Sequence, residues 1–131
     1  MNNSVSQSMT PTIVIDLKHN LIRIHMKTLH ILGDPDYVQM LINPDKRYIA
    51  LKPTTEDDHL AQKIRWTTFR TETTNTCCEI RSKYLVEALQ EVCYELKYAH
   101  IYKVPGVFYP EITTAVFDIN KAISITQSDE E

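Results

Sequence analysis

The side chains best equipped for chemistry are concentrated between Lys18 and Gly33, where Lys18, Arg23 and Lys27 are interleaved with His19, His25 and His30 and no Asp or Glu occurs. Cations grouped in this way suit contact with phosphates: Lys and Arg gain affinity by displacing condensed counterions, and a neutral imidazole still donates a hydrogen bond. A solvated edge of a hairpin would carry the same residues. As metal ligands the histidines are poorly spaced, because none stacks on another at i, i+4 and no cysteine lies nearby. Neither a metal nor an organic cofactor is therefore expected.

The remaining candidates are weaker. Cys77, Cys78 and Cys93 lack the CxxC spacing of a zinc knuckle or redox site, so they are read as reduced thiols, with at least one of the adjacent pair a small buried hydrophobe. The cluster Glu56-Asp57-Asp58-His59 lacks the glycine of a calcium loop and is read as a polar connector. No nucleophile elbow occurs, and with only two glycines the chain has no phosphate-cradling loop. An enzyme is not expected. Trp66, Phe69, Tyr102, Phe108, Tyr109 and Phe117 alternate with polar residues, as core packing or base stacking would require.

The elements that position these residues follow from periodicity. Thr12 to Asp16 and Leu21 to His25 alternate with period two and predict a hairpin around Lys-His-Asn. Met26, Leu29 and Leu32 then mark a short helix over 26–32 that Gly33 ends, which places Lys27 and His30 on its exposed stripe. Lys18, Arg23, Lys27 and His30 are accordingly expected to form one electropositive surface. Tyr37 to Ile42 and Tyr48 to Leu51 predict a second hairpin across Asn-Pro-Asp-Lys-Arg. Further strands are expected over 63–69, 78–81, 100–104, 107–109 and 113–119, with Pro105 and Gly106 breaking the pairing. Between them Leu85, Leu89, Val92 and Leu96 define a helix over 82–97, capped by Ser82, whose other face carries Glu87, Glu91 and Glu95.

At 131 residues, with 43% hydrophobic and 24% charged residues, the chain suits one globular domain. We expect a lead over 1–11, a single domain over 12–126 and an acidic tail over 127–131. The domain divides into similar halves, 12–53 and 63–120, joined by a linker over 54–62. No apolar window approaches a membrane span and the start is no signal peptide, so a cytoplasmic location is expected. The net charge of −3 disfavours indiscriminate coating of nucleic acid but allows a local basic patch.

Each half follows strand, strand, helix, strand, strand. The expected fold is α+β: a duplicated unit whose two helices pack on one face of a mostly antiparallel sheet of about eight strands. Its core would combine Leu85, Leu89, Val92 and Leu96 with Ile13, Ile24, Leu32, Val38, Leu41, Trp66 and Val116. In topology this scheme resembles the domain unit of DNA sliding clamps, which implies a non-enzymatic DNA-associated accessory protein acting as a homo-oligomer. Residues 12–53 also resemble an AbrB-type swapped-hairpin domain, with Asn20 and His25 where that family has glycine and proline; this implies a dimeric DNA-binding regulator. A third expectation is a protein-only adaptor whose partner binds the Glu87, Glu91 and Glu95 face.

Overall fold

The computed structural model describes residues 10–66, 77–92 and 99–125. Within them the strands are β1 (Thr12–Asp16), β2 (Leu21–His25), β3 (Tyr37–Asn43), β4 (Tyr48–Pro53), β5 (Gln62–Lys63), β6 (Cys77–Ile80), β7 (Ile101–Tyr109), β8 (Thr114–Asp118) and β9 (Ile123–Ser124). Two helices accompany them, α1 (Met26–Ile31) and α2 (Lys83–Val92). The strand order is β5-β3-β4-β8-β7-β1-β2-β6, with β9 also on β7, and each pairing is antiparallel.

Local chemistry sets the hairpins. Asn20 closes the β1–β2 turn at φ 57°, a left-handed conformation that Asn tolerates better than most residues. Between β3 and β4 the side-chain oxygen of Asn43 accepts from the backbone N–H groups of Asp45 and Lys46, and Arg47 completes the turn at φ 63°. Gly33, at φ 90°, ends α1, and the Asp34 N–H returns to the Leu29 carbonyl at 3.0 Å.

The long strand β7 organises the rest. Residues 101–105 pair with β1, whereas Gly106 to Tyr109 pair with β8, so one continuous strand belongs to two sheets. The switch falls at Pro105-Gly106, where the sequence predicts a break. No break occurs: the Gly106 N–H donates to the Pro11 carbonyl at 2.9 Å, and the missing Cβ leaves room for the buried ring of Phe117. The bend turns β1, β2 and β6 towards β3, β4 and β8, giving a nearly closed, barrel-like sheet. Its interior holds one apolar cluster that includes Ile13, Ile24, Leu51, Leu89, Val104 and Phe117.

This corrects the expected α+β arrangement. The helices do not pack together on one face of a sheet. A sheet that bends around its own core has an inside and an outside, and α2 fits between its walls. Leu85, Val86 and Leu89 enter the common core; α2 rests on β2 and faces Met40 and Ile42 of β3 across a cavity of about 370 Å³. The two halves do not pair as separate repeats either: β6 adds to β2, β4 to β8, and β7 to β1.

Smaller corrections follow from strand parity. Leu41 belongs to the outer surface, 40% exposed, because Val38 and Met40 point inward and a strand alternates sides. Val116 likewise alternates with buried Ala115 and Phe117 and lies outside. Of the expected strand over 63–69, only Lys63 is paired, Ile64 to Trp66 leave the sheet, and 67–69 lie outside the described residues. Leu96 also lies outside them. Among the described residues no helix is long and apolar enough to cross a membrane.

Candidate functional site

On the outer face of the first sheet, Lys103 of β7, Val14 of β1, Arg23 of β2 and Glu79 of β6 stand side by side in register. One row along, His25 is paired with Cys77. Above these rows α1 begins without an intervening loop, since β2 ends at His25 and the helix starts at Met26. The buried Thr28 hydroxyl accepts from the Thr12 N–H at 3.2 Å and donates to the Thr12 carbonyl at 3.3 Å, which ties the helix to β1. Lys27 is thereby held beside the sheet. The result is a depression of about 260 Å³ whose lining includes Arg23, His25, Lys27, Thr28, Cys77 and Lys103 and, among the described residues, contains no carboxylate.

The basic groups differ in how much charge they offer. Arg23 donates through Nη1 to Asp16 at 2.6 Å and approaches Glu79 at 3.5 Å, so its charge is largely countered. Asp16 is fully buried and also accepts from the backbone N–H and ring Nδ1 of His19 at 2.9 and 2.8 Å. Burial alone would raise its pKa; the hydrogen bonds from His19 and Arg23, with the Arg23 charge, outweigh it and hold the carboxyl below its ordinary value. Lys27 and Lys103 are exposed and make no ion pair among the described residues.

His25 is a donor in this setting. Its Nδ1 accepts the Lys27 N–H at 3.0 Å as the cap of α1, which leaves the proton of the neutral ring on Nε2. Burial and the neighbouring Lys27 charge lower its pKa, so the neutral form prevails at neutral pH. Neither ring nitrogen is then free to accept the Cys77 proton, and the pair is not arranged as a nucleophile and its base. The depression offers ammonium groups, part of a guanidinium and an imidazole N–H: donors suited to an oxyanion.

The structure gathers only part of the surface expected from sequence. Arg23 and Lys27 line the depression. Lys18 sits in the turn at the opposite end of the β1–β2 hairpin. His30 is turned away, its Nδ1 2.5 Å from Asp34 and its ring stacked on Trp66 at a centroid distance of 6.1 Å. His19, His25 and His30 thus serve three different partners. Of the acidic set, Glu87 and Glu91 are exposed on α2, Glu87 lies 3.9 Å from Lys83, and Glu95 lies outside the described residues. Sequence reasoning included His25 in the basic cluster but not in the expected surface, and it missed Lys103 altogether. The place of His25 immediately before the helix was a usable signal, whereas Lys103 arrives through a long-range strand pairing.

Cys78 faces away from Cys77 and is buried, which pushes its thiol pKa up. Compared with known proteins, the chain matches no protein family, no curated protein and no solved structure.

Proposed function

We propose that this protein is a non-enzymatic, DNA-associated protein that acts as an oligomer and holds the phosphate backbone in the depression formed by Arg23, His25, Lys27 and Lys103. The observation that carries the reading is a lining with no carboxylate among the described residues, to which Lys27 and Lys103 contribute charge that no described ion pair offsets. Contacts of this type position a protein on nucleic acid without reading bases. Lys18 and His30, outside the depression, are not required by this arrangement.

The test is a salt series on mixed-sequence duplex DNA with wild type and Lys27→Ala/Lys103→Ala. Each lost phosphate contact should lower the magnitude of the log affinity against log salt slope by about 0.9, so the double variant should lose about 1.8. Lys18→Ala should change the slope little. Absence of wild-type binding at low salt, or an unchanged slope in the double variant, would overturn the proposal; retention of a protein partner dependent on Glu87 and Glu91 would then favour the adaptor.

A further inference from the structure

The outer face of the second sheet has a different character. Leu41 of β3, Ala50 of β4, Val116 of β8 and Val107 of β7 stand in one registered row across four neighbouring strands. All point away from the core, and Leu41 and Val107 are 40% and 57% exposed. Tyr48 and Tyr109 flank the row, each more than a third exposed. An aliphatic row between tyrosines is the composition expected of an interface centre rather than of a solvated sheet face.

The pattern of sizes and charges points to its occupant. We propose that this face packs against the same face of a second copy, about a two-fold axis running along the strands between β4 and β8. That axis places Ala50 over Val116 of the second copy and Leu41 over its Val107, so small meets larger at the centre and the gap stays even. The charged neighbours fit the same operation. Asp118, beside Tyr48 in the register, comes opposite the second copy's Tyr48, whose hydroxyl can donate to the carboxylate; Lys52 comes opposite Thr114. No like charges meet. The other in-plane axis, along the row, would set Ala50 on Ala50 and Leu41 on Leu41 and leave an uneven gap.

Four strands at ~4.8 Å and about five residues at ~3.4 Å give a face of roughly 300 Å² in projection. This is small beside the ~800 Å² per partner of a standard interface, so self-association is weak and concentration-dependent. The inference supplies a contact for the proposed oligomer but does not depend on nucleic-acid binding, because the two faces belong to different sheets.

Sedimentation velocity over a concentration series, without nucleic acid, tests it. Wild type should pass from monomer to dimer between micromolar and millimolar concentration. Val107→Glu and Leu41→Lys, each at an exposed position, should weaken the dimer by at least about tenfold. The double variant Leu41→Lys/Val107→Glu should recover it, because only the proposed axis sets each lysine opposite a glutamate of the second copy. Circular dichroism and thermal unfolding establish that each variant is folded. Amide chemical shifts of wild-type protein provide a readout without substitution: residues 41, 50, 107 and 116 should move with concentration and Arg23 and Lys27 should not. A monomer throughout, a double variant as dissociated as the singles, or concentration-dependent shifts confined to the other sheet would overturn the inference. Lys27→Ala/Lys103→Ala should leave the dimer unchanged, which separates this result from the DNA test.

Discussion

Replacing Gly106 with alanine adds one methyl group at the corner of β7. There a Cβ atom would lie 2.5 and 2.7 Å from Cδ2 and Cε2 of Phe117 and 2.8 Å from the Val116 carbonyl oxygen. Carbon contacts are comfortable at about 3.5–4.0 Å, so the ring would have to retreat by roughly 1 Å. Phe117 is fully buried and has no adjacent solvent to move into. Overpacking of this kind costs about 1–3 kcal/mol, and because the third contact is backbone, whose movement would loosen the β7–β8 ladder, we expect the upper part of that range. With a urea m-value of about 1–2 kcal/mol per molar, Gly106→Ala should lower the denaturation midpoint by roughly 1–3 M. Phe117→Leu removes the offending ring edge at the cost of a cavity, and in the double variant the two losses should sum to more than the observed loss by at least ~1 kcal/mol. An unchanged midpoint for Gly106→Ala, or strict additivity in the double variant, would refute the account of the corner.

Three further expectations concern the core and the site. Leu89→Ala, at a fully buried position where α2 enters the core, should destabilise by about 2–5 kcal/mol in the same urea assay. Asp16→Asn should cost about 2–3 kcal/mol at neutral pH, since it weakens charged hydrogen bonds to Arg23 and His19. Because the folded pKa of Asp16 is depressed, its contribution is complete above the unfolded value near 3.9 and is lost as pH falls through the folded value; acid titration of stability should be flatter in Asp16→Asn than in wild type. On duplex DNA, His25→Gln, which keeps a donor but lacks a ring, should weaken affinity less than Lys27→Ala at low salt, as measured by fluorescence anisotropy.

The parts of the fold legible in the sequence are those fixed over a few residues. Both early hairpins, the turn at Asn20, the end of α1 at Gly33 and the apolar stripe of α2 follow from local periodicity and backbone preference. The pairing of β2 with β6, of β4 with β8 and of β7 with both sheets depends on which edges meet in space, and similar strand patterns offer no label for that choice. Reading five elements twice as a repeat therefore gave an incorrect layer arrangement. Leu41 is a different kind of error: Val38 and Leu41 lie an odd number of positions apart, so one strand cannot bury both. The candidate site divides in the same way, since Arg23 and Lys27 sit on adjoining local elements while Lys103 reaches them only through β7.

The partner switch along β7 also bears on how the chain acquires its structure. During synthesis β1 to β4 leave the ribosome long before β7, so β1 has only β2 beside it and its second edge stays unsatisfied until nearly the whole domain has been made. Closing so long a loop carries an entropic penalty before any ladder bond offsets it, and contacts of this sequence separation place the domain among slow folders. The interval exposes apolar strand edges to other nascent chains. Once β7 docks, it joins both sheets in one step, so neither should unfold alone and hydrogen exchange in β2 and in β4 should report the same global opening.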